Sequence, residues 1–217
     1  MTEQNTMNRV IHAAVRRDLE RLTDALQSLP AGDVSRAREL QRAFANLRDQ
    51  LTHHHEGEDR WVWPMLAGKG VDRGLLETME SEHAAMSRAL ADTDAAMSAL
   101  ARSASAEDAA AARASMARTA DVVGRHLDHE EAEVEPVLLT YADSPEWKAV
   151  ERKFARQPPA VAGAFFAWVT DGMTDDDRAY LRATVPPPVT FVLTRVFGRR
   201  YTREVAPVWR TPAARGT

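Results

Sequence analysis

Apolar residues recur every three or four positions through residues 7–29, where Val15, Leu19, Leu22 and Leu26 form one stripe. No comparable alternation of period two appears along the chain. That spacing predicts an amphipathic helix with one buried face. Pro30-Ala31-Gly32-Asp33 stops it, and Asp33 is placed to cap the next helix. The second helical pattern reaches about residue 67 and breaks at Gly68-Lys69-Gly70. A third, rich in Ala, Leu, Met and Glu, covers about 71–102, and a fourth starts near Ser105 and reaches about 141. Four long helices joined by short connections predict an all-α fold, an up-down antiparallel four-helix bundle over residues 1–143.

Residues 144–217 read as a helical C-terminal extension. Ser144-Pro145 starts a short helix, Pro158-Pro159 interrupts the chain, an apolar patch covers 160–169, and an acidic-capped helix covers about 174–182. Pro186-Pro187-Pro188 makes a stiff break before a last segment that mixes Phe191, Val192, Leu193, Val196, Phe197 and Tyr201 with arginines. Six arginines (195, 199, 200, 203, 210 and 215) stand there against one acid, Glu204, a local charge of +5. The apolar content of 160–169 and 189–197 calls for cover by the bundle, with the arginines facing water. The other reading is a patch that docks a protein partner or an anionic ligand.

Composition narrows the chemistry. The net charge of −4 argues against a general affinity for nucleic acid, and the absence of cysteine excludes disulfides and thiolate ligands. Any bound metal is therefore held by nitrogen and oxygen. The polar start of the chain lacks the apolar run of a signal peptide, and the longest apolar stretch is too short to span a bilayer. A cytoplasmic protein that does not enter the membrane is expected.

The strongest signal is an internal repeat. His12-Ala13-Ala14-Val15-Arg16-Arg17-Asp18-Leu19 and His83-Ala84-Ala85-Met86-Ser87-Arg88-Ala89-Leu90 both fit H-A-A-[VM]-x-R-x-L. His54, Glu58 and Pro64 fit H-x3-E-x5-P, and so do His126, Glu130 and Pro136. The chain reads as two copies of a helical hairpin, each offering one His from its first helix and a His plus a Glu from its second. Residues four apart share a helix face, so each His–Glu pair can address one point. Four imidazoles and two carboxylates then meet inside the bundle. Burying two carboxylates is costly without counter-charge, and a pair of cations removes that cost. Imidazole suits iron, copper and zinc, and a bridging carboxylate favours a two-metal centre.

At these residues the sequence resembles the hemerythrin-like domain family, over roughly residues 7–141. The resemblance implies a carboxylate-bridged pair of iron ions with an oxo or hydroxo bridge, liganded by His12, His54, Glu58, His83, His126 and Glu130, with the two glutamates as bridges. It departs from the oxygen-carrying members, which place two histidines four apart on the third helix; here Met79 and Ser87 flank His83 at that spacing. About two of some twelve octahedral positions then stay open. The expected ligand is a small molecule: dioxygen, nitric oxide or peroxide. The alternative is a di-iron peroxidase or catalase-like enzyme that destroys peroxide or nitric oxide, and a structural bundle holding zinc or no metal is a third reading. His53, His55 and His129 break the two-fold pattern and are not expected as ligands, although His129 is placed to act as a proton donor behind the site. Trp61 and Trp63 read as packing, and Glu80 and Glu82 as either support for the site or solvated surface.

Overall fold

The structure, a computed structural model, describes residues 6–210. Arg215, counted above in the basic tail, lies outside the described residues. All regular structure among the described residues is helical. Helix α1 spans Met7–Gln27 and is capped by Thr6, whose side chain accepts from the Arg9 N–H. Helix α2 spans Val34–Gly57, and Asp33 caps it by accepting from the Arg36 N–H, as its sequence position predicts. Helix α3 spans Arg73–Ser103 and ends at Ala104, whose φ of 47° puts it in the left-handed conformation common at helix C-termini. Ser105 then caps helix α4, Ala106–His129.

Helix α1 packs on α2 and α4, α2 packs on α3, and α3 packs on α4, so the four close into a ring. The stripe seen in the sequence is the core: Val15, Leu22 and Leu26 are fully buried with Leu40, Phe44, Leu47 and Leu51 of α2 and Met86 and Met97 of α3. A second apolar cluster lies beyond it, made by Val62, Trp63, Leu66, Leu76, Met79, Val134 and Val150. Trp63 is thus packing, as expected, and Trp61 sits at the edge of this cluster with its ring against Phe154. Along α2, α3 and α4 the repeated His and Glu positions fall between these two clusters, so a polar layer is sandwiched between dry ones.

The second helix of each hairpin continues past the site through one wide turn. A π-helical turn, Glu58–Val62, leads from α2 into Trp63–Gly68, and another, Glu130–Val134, leads from α4 into Glu135–Leu139. In each the closing N–H reaches five residues back, Trp63 to Glu58 O and Glu135 to Glu130 O. The residue that follows each closing N–H is proline, Pro64 or Pro136. Proline has no N–H and its ring crowds the carbonyl four residues before it, so the helix relieves the conflict by widening one turn. The x5 spacing between Glu and Pro therefore has a structural cause, and it places a π-turn directly after each site carboxylate.

The extension comprises α5 (Pro145–Ala155), α6 (Pro159–Val169), α7 (Asp175–Thr184), α8 (Pro187–Val192, continued by a π-helical turn Leu193–Phe197), α9 (Arg199–Glu204) and a 3-10 turn, Ala206–Trp209. Its anchor is Trp168, wholly buried, whose indole N–H donates to Oδ2 of Asp18 on α1 at 2.8 Å. Asp18, also wholly buried, accepts in addition from Arg17 (2.9 Å). Tyr201 donates to Asp171 at 2.7 Å, and Arg36 on α2 donates to the Val208 carbonyl. Phe154 of α5 lies over Gly57, where a Cβ would fall 2.4 Å from the ring edge. This explains why position 57 is glycine while its repeat mate is His129.

One expectation fails. The apolar run 189–197 is not covered: Phe191 is 63% exposed, and Val189, Val192, Val196 and Phe197 are exposed as well. The segment meets α6 along a narrow seam in which Gly163 and Gly198 let the backbones touch, so close that a Cβ on Gly163 would fall 2.3 Å from Phe197 Cβ. Contact through two glycines leaves the opposite apolar side chains exposed, with Arg195 over the Phe191 ring.

Candidate metal centre

The six sequence-selected side chains come from all four bundle helices and converge. His12, Glu58, His83, His126 and Glu130 are buried, and His54 is nearly so. The Nε2 atoms pair within each copy of the repeat: His12 and His54 are 3.4 Å apart, His83 and His126 3.2 Å apart. The carboxylates join the two pairs. Glu58 points Oε1 at His54 Nε2 (3.2 Å) and Oε2 at His83 Nε2 (3.7 Å). Glu130 Oε2 lies 3.3 Å from His12 Nε2 and 3.5 Å from His126 Nε2. Each glutamate therefore touches both histidine pairs. Glu130 Oε1 is held separately by the Asn8 amide at 3.1 Å.

Three of the histidines are aimed by carboxylates behind them. Nδ1 of His12 donates to Glu131 at 2.8 Å, which is also held by Arg16. Nδ1 of His83 donates to Asp59 at 2.7 Å, which also receives the Trp63 indole N–H. Nδ1 of His126 donates to Glu82 at 2.8 Å, and the other oxygen of Glu82 accepts from His129 Nδ1 at 2.8 Å. A carboxylate on Nδ1 fixes the ring and leaves Nε2 free to bind a cation, as metal-ligating histidines require. Sequence reasoning named Glu82 and His129 but missed Asp59 and Glu131. Both directly follow the site glutamates, so the repeat E-[DE] carried the signal. Asp59 thus serves His83, and His129 serves Glu82.

Without a cation the layer is electrostatically unsettled. Burial disfavours a charged His12, but Glu130 and Glu131 outweigh it and raise its pKa to about 9. Burial, aided by the charge on His12, lowers His54 to about 3. Burial and the neighbouring Glu130 push Glu58 well above the usual carboxylate range. Glu130 is also buried, yet its bonds to His12 and His126 hold it well below that range. Protons thus stand in for positive charge. Two fully buried carboxylate atoms, Glu58 Oε2 and Glu130 Oε2, make no hydrogen bond of good geometry and have only the longer contacts to imidazole nitrogens given above, between the histidine pairs. Two carboxylates, at least four imidazoles and these oxygens at their centre fit a pair of hard-to-borderline cations.

His55, which its position off the repeat does not mark as a ligand, lies inside the layer. It is buried, its ring stacks on His83 at 4.2 Å, and it falls in two of the three groups of side chains close enough to share a cation: His55, His83 and His126; His54, His55 and Glu58. The third group is His12, His54 and Glu130.

Fold and site together define a helical bundle with a buried His–Glu metal-binding layer. The family model of the hemerythrin HHE cation binding domain matches residues 8–138, and the chain belongs to that family. No curated protein and no solved structure matches the chain significantly. No helix among the described residues is long and apolar enough to cross a membrane.

The carboxylates behind the rings are expected to matter almost as much as the rings. Asp59→Ala and Glu82→Ala should each weaken metal affinity by roughly 10- to 100-fold, because the freed imidazoles lose their orientation and basicity. Competition with a chelator measures this, and affinities within twofold of the parent chain would contradict it.

Proposed function

We propose that the chain is an up-down four-helix bundle, residues 1–143, with a docked extension from 144 onward, that holds two iron ions through His12, His54, Glu58, His83, His126 and Glu130. The two glutamates bridge, and the centre binds or senses a small ligand such as dioxygen, nitric oxide or peroxide. The observation that carries this is the position of Glu58 and Glu130, each within 3.7 Å of a histidine from both pairs and each with a buried oxygen that makes no hydrogen bond of good geometry. A bound metal pair supplies Lewis acidity and redox chemistry at that point. The protein's own part is to exclude water with the apolar layers above and below and to hold the rings rigid.

A second reading, turnover of peroxide or nitric oxide, draws support from one feature. His126 is linked through Glu82 to His129, whose side chain is 35% exposed, so a continuous hydrogen-bonded path runs from the buried layer to solvent. Such a path can deliver protons to chemistry at the centre. Optical spectra of the iron-loaded chain before and after oxygen, nitric oxide and peroxide separate the two. A stable adduct supports binding or sensing, and repeated consumption supports the enzyme. Iron that responds to none of the three would contradict both.

Metal uptake is expected to release protons. His12, with a pKa near 9, carries a proton at pH 7.5, and Glu58 is shifted in the same direction. Ligation needs the neutral ring and the anionic carboxylate, so affinity should rise with pH up to about 9 and each loading should acidify an unbuffered solution. An indicator dye measures the release, and pH-independent uptake between pH 6 and 9 would contradict it.

A further inference from the structure

Position 55 has a repeat mate, Leu127, which is fully buried in the core. A leucine there packs without polar atoms to satisfy. The first hairpin instead carries a histidine, and its Nε2 is buried with no hydrogen-bond partner. That atom joins Glu58 Oε2 and Glu130 Oε2 as a third polar atom of the same layer without a hydrogen bond of good geometry. The ring stacks on His83 with centroids 4.2 Å apart and meets His126 edge-on at 5.1 Å, whereas His54 is 5.3 Å away. One nitrogen each from His55, His83 and His126 lie within 4.8 Å of one another. Trp63 packs against His83 from the same apolar cluster that contains Met79.

We propose that His55 is a metal ligand, a fifth imidazole that joins His83 and His126 on one ion. This rests on the dinuclear reading above and adds to it. The four histidines of the repeat divide evenly between the two ions, and the glutamates reach both. His55 breaks that balance. The ion between His83 and His126 gains a third ring, while the ion at His12 and His54 has two.

The test uses the full chain and His55→Leu, the residue found at the repeat position. Both are loaded with ferrous iron without oxygen, and iron per chain and Mössbauer spectra are recorded. The expected result is two irons in two distinct environments for the parent chain. His55→Leu should show more similar environments and at least about tenfold weaker binding of one ion. Two irons in both proteins, with unchanged spectra and affinities, would overturn the role of His55 and leave the dinuclear reading standing. A parent chain that takes up no iron would overturn both. Should His55→Leu fail to fold, the parent spectrum still decides, because two equivalent irons would overturn the proposal.

Discussion

Alanine at position 130 is expected to leave a folded chain that no longer holds two metal ions. Glu130 is the one carboxylate whose single oxygen, Oε2, approaches both His12 and His126, at 3.3 and 3.5 Å. In the proposed centre its removal takes away a bridge and an anion that balances the cations. The expected loss in affinity for at least one ion is on the order of a thousandfold, or about 4 kcal/mol. The metal-free chain should be weakened as well. His12 and His126 hold the Glu130 carboxyl well below its usual range, so the buried anion is already paired, and Glu130→Ala, which breaks that pairing beside a charged His12, should melt lower than the parent before loading. His12 meanwhile loses one of the two carboxylates that raise its pKa, which should fall. Thermal melts with and without ferrous iron read both effects. Metal binding to the folded state alone raises the melting temperature, and that increment should largely vanish in the variant. Glu130→Ala with an undiminished metal-induced shift would contradict the bridging role.

Trp168→Ala should cost the chain about 4 kcal/mol of stability. Truncating a wholly buried tryptophan removes its apolar contacts and leaves a cavity, for ~3–5 kcal/mol. It also withdraws the indole N–H from Asp18, a carboxylate with no exposure of its own. Arg17 and Arg21 stay beside Asp18, which limits the damage. Trp168→Phe keeps most of the ring and deletes the N–H, so it should recover part of the loss. Urea unfolding distinguishes the two variants. The consequence reaches the site, because Asp18 lies six residues after His12 on α1, ~9 Å along the helix. The extension thus fastens the helix that presents His12. A Trp168→Ala chain within 1 kcal/mol of the parent would mean that the extension contributes little.

Much of this molecule could be read in its sequence because function imposed a repeat. H-x3-E-x5-P, written twice, combines a candidate ligand pair that needs one helix face with a proline that forces a π-turn. Both constraints are local, so both leave fixed spacings. The stripe from Val15 to Leu26 was legible for the same reason. His55 was not. It lies one position off the repeat register, and its place in the layer follows from how α2 rotates against α3, which spacing along one helix does not encode. Asp59, Glu82 and Glu131 are intermediate cases. Their roles depend on contacts across helices, yet two of them follow a ligand glutamate and so carried a trace of pattern. The segment 189–197 misled for a different reason. Apolar content predicted burial, but Gly163 and Gly198 let α6 and the end of α8 touch backbone to backbone, leaving Phe191 and its neighbours exposed.

In the proposed centre two cations sit between the four repeat histidines and are joined by Glu58 and Glu130. An anaerobic titration of the metal-free chain with ferrous iron, followed by iron K-edge absorption fine structure, decides this. Saturation at two irons per chain is expected, with only nitrogen and oxygen neighbours bound to the metal and an iron–iron vector short enough for a carboxylate to span. Saturation at one iron, or two irons with no metal–metal vector, would contradict it.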